Sequence, residues 1–249
     1  MGREVLDGRR HRSQRPGDAI LLGPGCASQL AWEYYELEEA VFSAVWRCWR
    51  MDIHAYGDRG GRSPARPVRA RAAPHLRPAL RCPGDGARRA RGPGPAPPGR
   101  PPGHPGHIQQ PLLHDAAAIQ TEYWGGERVT ALLATRAWLD AGSDISAGSD
   151  YPVGSYGAAH FLHGLTTRST VAGVLGPGQV TTRAEAVHLH TAAAARLTTE
   201  AHLRGLLTPG RLADLTAWPE NPFTSPALDA LLPSHTLLGD TMVHGPEVE

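Results

Sequence analysis

The chain has 249 residues, a hydrophobic fraction of 41% and a formal net charge of +1. That is enough apolar material for one large α/β domain or two small ones, with no global field to draw nucleic acid or a membrane. All 25 basic residues are Arg and Lys is absent; the three cysteines, Cys26, Cys48 and Cys82, fall at no metal-ligand or paired spacing, which argues for a reducing, cytoplasmic setting over a disulfide framework.

No apolar run approaches the roughly 18 residues of a membrane span, and "AILL" is far short of a signal h-region, so neither insertion nor secretion is expected. Residues 1–29 are rich in Arg and Gly without periodicity and are left unassigned. Over Leu30 to Trp49, Leu37, Ala40, Val41, Ala44 and Val45 recur at helical spacing, with Glu36, Glu38 and Glu39 toward the favourable end of the helix dipole, which predicts a helix. The stretch "RMDIHAYGDRG" then reads as a short strand ending at His54 and a loop, completing a unit over 30–60. From 61 to 106 the chain is dominated by Arg, Pro and Gly, with Asp85 its only acid, a composition that cannot offset the ordering entropy and predicts disorder.

Regular signals return at 107. "VTALLATRAWLDAG" predicts one amphipathic helix stopped at Gly142, and "SDISAGSD" a strand ending at Asp150. Thr182 stands three residues before Glu185 as a capping box, opening an Ala-rich helix. After 205, Pro-Gly turns surround a short apolar strand within Leu212 to Trp218, the pattern of small antiparallel structure.

By composition alone, the Gly-Ser-Asp-Tyr-Pro run at Asp150 is a turn. Its neighbours in order are "HAYGDR", "QQP", "GGERV", "TRAWLDAG", "SAGSDYPV", "TTRST", "LGPGQVTTRAEAV", "TAAAARL" and "GLLTPGRLADLTAWPENP". The series resembles the C-terminal half of the amidohydrolase superfamily, most closely the amidohydrolase 3 subgroup, over residues 31–59 and 107–245. The resemblance implies an α/β fold: a metal-dependent β/α barrel, of TIM type, carrying a small composite β-sandwich. Residues 107–205 would be the C-terminal part of that barrel and 206–249 a segment of the sandwich. It also implies hydrolysis of carbon–nitrogen bonds other than peptide bonds, on a small amide or cyclic amide, with a divalent metal of the zinc type.

On this resemblance Asp150 takes the place of the strand-eight aspartate, which ligates the metal and accepts the proton of the attacking water. The physics agrees, since a carboxylate at a strand's end can reach an ion and a water together. His54 matches the strand-five histidine, a second metal ligand. Tyr151 and Arg168 belong to the loops beyond strand eight that would hold substrate, Arg168 with bracing of the loop as its favoured role and substrate contact as the alternative.

His188 and His190 form an H-x-H, but inside a helix such residues diverge by about 200° and cannot share an ion. His160 and His163 could share a helical face at i, i+3, but without a third candidate nearby no metal site is expected there. The first-strand H-x-H of the family has no counterpart before Leu30, the bridging lysine is impossible in a chain without Lys, and the strand-six histidine would fall within 61–106. The length of that block suits the family although its composition does not, which points to a shifted reading frame or a gene fragment.

Three readings follow. The first is an amidohydrolase-type hydrolase present as a C-terminal fragment, and the second a non-catalytic remnant. The third is a nucleic-acid-binding protein using the Arg-rich block, disfavoured because the block lacks aromatics for base stacking. With at most His54 and Asp150 as inherited ligands, tight catalytic metal binding is not expected, unless His104, His107, His114 or a second chain completes a site.

Overall fold

The computed structural model describes residues 34–47, 106–152 and 154–246. His54, the three cysteines and nearly all of the Arg/Pro/Gly block lie outside these residues. Backbone proximity divides the chain into two compact units. One comprises residues 1–107, 122–124 and 140–144; the other comprises 108–121, 125–139 and 145–249.

In the first unit the described residues include helix α1 (Tyr34–Trp46), within the expected span, with Glu36 in its first turn and Ala44 buried. Gly106 there donates its amide to the Asp144 carbonyl at 2.7 Å.

The second unit carries most of the regular structure. Strand β1 (Gly106–Gln109), which begins at the unit boundary, and β2 (Ile145–Gly148) are neighbours in a two-stranded sheet. On β2, Ile145, Ser146 and Ala147 are all buried, as expected of a strand covered on both faces. Helices α2 (Pro111–His114) and α3 (Ala117–Trp124) follow β1, Pro111 taking a first-turn position where no backbone N–H is needed.

The helix predicted over 129–142 forms as two pieces, α4 (Gly126–Thr130) and α5 (Thr135–Asp140), although Gly142 does end the second with a φ of +65°. The break lies at 131–134, where Leu133 adopts a φ of +46°. Its physical reason is Arg168. The guanidinium, 2% exposed, donates to the carbonyls of Leu132 (2.9 Å), Leu133 (3.1 Å), Thr130 (3.5 Å) and Leu175 (2.8 Å). Carbonyls that would close an unbroken helix are instead turned toward a buried cation. No sequence period announces that arrangement.

Helix α6 (Ala158–Thr167) ends at Arg168, which takes the left-handed conformation at its C-terminus, with its amide on the Gly164 carbonyl. A short hairpin, β3 (Ser169–Thr170) with β4 (Gly173–Val174), follows. The predicted capping box is present: Thr182 Oγ1 accepts from the Glu185 amide and Glu185 returns a bond to the Thr182 amide, opening α7 (Arg183–His190). Glu185 also accepts both contacts of Arg136 Nη1, at 2.8 and 2.9 Å, which ties α7 to α5. A break at Thr191 separates α7 from α8 (Ala192–Leu197). Both helices lie against β2, and α6 packs on α7 and on the single turn Leu228–Ala230. The alanines of α7 and α8 serve this packing, because Ala186, Ala193 and Ala195 are buried and small enough for close approach to the strand.

The C-terminal part of the unit holds an antiparallel sheet, β5 (Leu215–Ala217), β6 (His235–Leu238) and β7 (Thr241–His244), in that order. β5 falls inside the stretch read as a strand. Leu215 pairs with Leu237, and a bulge interrupts the β6–β7 register between Thr236 and Leu237. Gly239, at φ +68°, supplies the positive dihedral of the two-residue loop between β6 and β7, and its amide is held by Asp214 Oδ1 at 2.9 Å. The described residues therefore form an α/β arrangement with small sheets, and among them no closed barrel is formed.

Candidate functional site

Asp150 stands two residues beyond β2, at a φ of +56°, a conformation in which Asp is tolerated better than most residues. Gln109 ends the neighbouring strand β1, and its Nε2 donates to Asp150 Oδ1 at 3.2 Å. The other carboxylate oxygen accepts no hydrogen bond from the described residues. One oxygen is oriented and one is open, which is the arrangement that a metal ligand or a proton acceptor requires. The chemistry of an oriented carboxylate with one open oxygen is compatible with a divalent ion, and Gln109 is the group that orients it. Burial on β1 alternates, and Gln109 is the half-exposed residue at its end, where sequence reasoning assigned it no role.

Immediately after Asp150 the chain turns at Tyr151–Pro152, a cis peptide bond. Tyr151 is 64% exposed, and its ring meets the exposed ring of Tyr156 edge to face at 5.6 Å. Two aromatic surfaces are thus displayed within a few residues of the carboxylate. Arg168 is placed differently. Its guanidinium is buried and engaged with four backbone carbonyls, and burial lowers its pKa to about 10. His54, the other expected ligand, lies outside the described residues.

A second cluster has the donor set of a metal site. His114, at the end of α2, and Asp115, directly after it, meet His160 in the first turn of α6, and one ligand atom from each lies within 4.8 Å of the others. His114 Nδ1 is 2.7 Å from Asp115 Oδ1, and the two imidazoles pack edge to face with centroids 4.4 Å apart. Burial first, and then the neighbouring His114, hold the His160 pKa below the ordinary imidazole value. The structure thus brings His160 to His114 and Asp115, a grouping that the i, i+3 pairing with His163 did not suggest. The His114–Asp115 dipeptide was a visible signal, but nothing in the sequence joins it to α6.

The contact has a cause on α6. A β-carbon at Gly164 would overlap the side chain of Gln110, so only glycine admits that amide here. Gln110 precedes α2 and Gly164 lies one helical turn beyond His160. The close approach of Gln110 to Gly164 therefore sits one turn from the meeting of His114 with His160. His188 and His190 lie on α7, as expected for residues that do not share an ion.

Among the described residues no helix is long and apolar enough to cross a membrane. The family model described as "Amidohydrolase family" matches residues 17–244. The N-substituted formamide deformylase of Arthrobacter pascens is 31% identical over 102 residues, covering 40% of this chain and 19% of that protein. Two solved structures, both described as uncharacterized metal-dependent hydrolases, are similar in fold. The one from Pyrococcus horikoshii OT3 has a TM-score of 0.60 at 16% identity, and the one from Pyrococcus furiosus 0.56 at 15%. Each covers 78% of this chain, which in turn covers 39% and 38% of theirs. The chain spans less than half the length of each of these relatives.

Proposed function

The chain belongs to the amidohydrolase family, and from that premise we propose that it serves metal-dependent hydrolysis of a carbon–nitrogen bond in a small acylated amine or cyclic amide. The observation that supports this reading best is the Gln109–Asp150 pair at the ends of two neighbouring strands. In this reading the strands are the last two of a β/α barrel, whose sites gather at strand ends, and residues 206–249 belong to a small β-sandwich. The similarity to an N-substituted formamide deformylase supports an N-acyl substrate.

Asp150, with His54, would hold the divalent ion, zinc being the ion of choice. When bound, the ion lowers the pKa of a water toward about 7 and polarises the substrate carbonyl. Asp150 would accept the proton of the attacking water as the water's oxygen adds to the carbonyl carbon. It returns the proton to the nitrogen as the carbon–nitrogen bond breaks, so a carboxylic acid and an amine leave. Gln109 fixes the carboxylate throughout. Tyr151, with Tyr156, offers an apolar edge to the acyl or amine substituent. Arg168 braces the backbone at Leu132 and Leu133 from its buried position.

The test is amine release from a panel of N-formyl and N-acetyl amines and cyclic amides, with zinc or manganese supplied. Release abolished by Asp150→Asn carries the reading, and release indifferent to that substitution removes Asp150 from it. No release with any metal favours the non-catalytic remnant, a reading supported by the small number of inherited ligands, His54 and Asp150.

A further inference from the structure

Asp150 takes no part in the cluster on α2 and α6. The hydrogen bond between His114 and Asp115 accounts for those two residues but leaves His160 unexplained. Its ring nitrogens make no hydrogen bond to any described residue; the His114 ring packs against it at 4.4 Å and the Phe161 ring at 6.0 Å, and the Asp115 and Asp229 carboxylates and the His163 imidazole act on it through charge. A half-buried imidazole without a polar partner, set against a second imidazole and a carboxylate, is a donor set awaiting an acceptor.

We propose that His114, Asp115 and His160 form a binding site for a divalent transition-metal ion of the zinc type. Two nitrogens and one carboxylate oxygen suit zinc, copper or nickel, whereas calcium and magnesium prefer oxygen alone. Three protein ligands leave a fourth position for water. Zinc bonds of about 2.1 Å in tetrahedral geometry place ligand atoms about 3.4 Å apart. The three groups, already within 4.8 Å, reach that spacing by side-chain rotation, for which exposed Asp115 has room. His114 and Asp115 are joined by the chain, and His160 is held by α6, so the backbone of each element is in place before any ion arrives.

The 249-residue chain, carrying no affinity tag and stripped with chelator, is titrated with zinc chloride by calorimetry. One zinc per chain is expected at this site, with or without a second ion at Asp150. His114→Ala and His160→Ala should each weaken it by about tenfold or more, with the circular dichroism of the fold retained. His163→Ala and Asp150→Asn should keep it, which separates this site from the one proposed around Asp150. Absence of zinc binding by the Asp150→Asn variant overturns the proposal, as does zinc binding by that variant that survives both alanine substitutions. Should His160→Ala fail to fold, cobalt added to the unsubstituted protein decides by nuclear magnetic resonance. Selective broadening of the His114 and His160 ring signals supports the site, and broadening elsewhere only, or none, overturns it.

Discussion

Gln110 lies directly against Gly164, with no room for a side chain between them. The amide is 1% exposed, and among the described residues neither its oxygen nor its nitrogen has a hydrogen-bond partner. Glycine inside a helix ordinarily costs about 1 kcal/mol relative to alanine, so its use here reflects the close approach of Gln110 to α6. Gly164→Ala should therefore destabilise the protein by about 1–2 kcal/mol, overpacking outweighing the helix gain. In a Gln110→Ala background the same substitution should be neutral or stabilising. Urea unfolding of the two single variants and the double variant measures the coupling, and additive effects would show that the two residues do not compete for space.

Arg168 should behave as a structural cation. Replacing it by lysine keeps a charge but removes the planar fork that reaches Leu132, Leu133 and Leu175 together. Arg168→Ala leaves several carbonyls facing a void, at a cost of about 3 kcal/mol. Arg168→Lys should fall between alanine and the native residue in chemical denaturation. A lysine variant as stable as the parent would mean that the four carbonyls find other donors.

Arg168 and Gly164 mark where sequence reading stops. The capping box at Thr182 and Glu185, the strand at Ile145–Gly148 and the stop at Gly142 were legible because each depends on residues within a few positions of one another. The break in the helix expected over 129–142 depends on Arg168, which arrives from a distant element and overrides local amphipathicity. The meeting of His114 with His160 depends likewise on two helices packing, and Gly164 as the enabling residue carries no marker of its own. The position of Asp150 just beyond a strand was legible from the short run that precedes it. Gln109 as its partner was not, because strand pairing is set by tertiary contacts that no spacing in the chain encodes.

Glu185 links acid sensitivity to the α5–α7 contact. The Thr182 amide, followed by Arg136, holds its carboxyl below the ordinary value of 4.5. A depressed carboxylate contributes stability above its unfolded value, and that stability is lost as pH falls through the folded value. Glu185→Gln should thus lower stability at neutral pH, with the gap to the parent closing in acid below about 4.5. Thr182→Ala, which removes only the reciprocal half of the box, should cost about 1 kcal/mol. Thermal melts from neutral pH into acid give both results, and a gap that widens on acidification would contradict the assignment.

The relation of Gln109 to Asp150 yields the prediction closest to function. If the 3.2 Å hydrogen bond orients a carboxylate that must accept and return a proton, losing the donor leaves the group present but misdirected. Gln109→Ala should then lower kcat by about tenfold with little change in KM, because a positioning bond is used in the chemical step more than in substrate binding. Asp150→Asn removes the proton acceptor itself and should reduce turnover by about 100-fold or more. The double variant should be no worse than Asp150→Asn alone, since a bond to an absent carboxylate cannot be lost twice. Steady-state kinetics on the best substrate of the acylated-amine panel supplies all three values. Additive losses would place Gln109 in a role of its own, such as direct contact with the substrate amide, and a change in KM alone would make the pair a binding feature with no part in proton transfer.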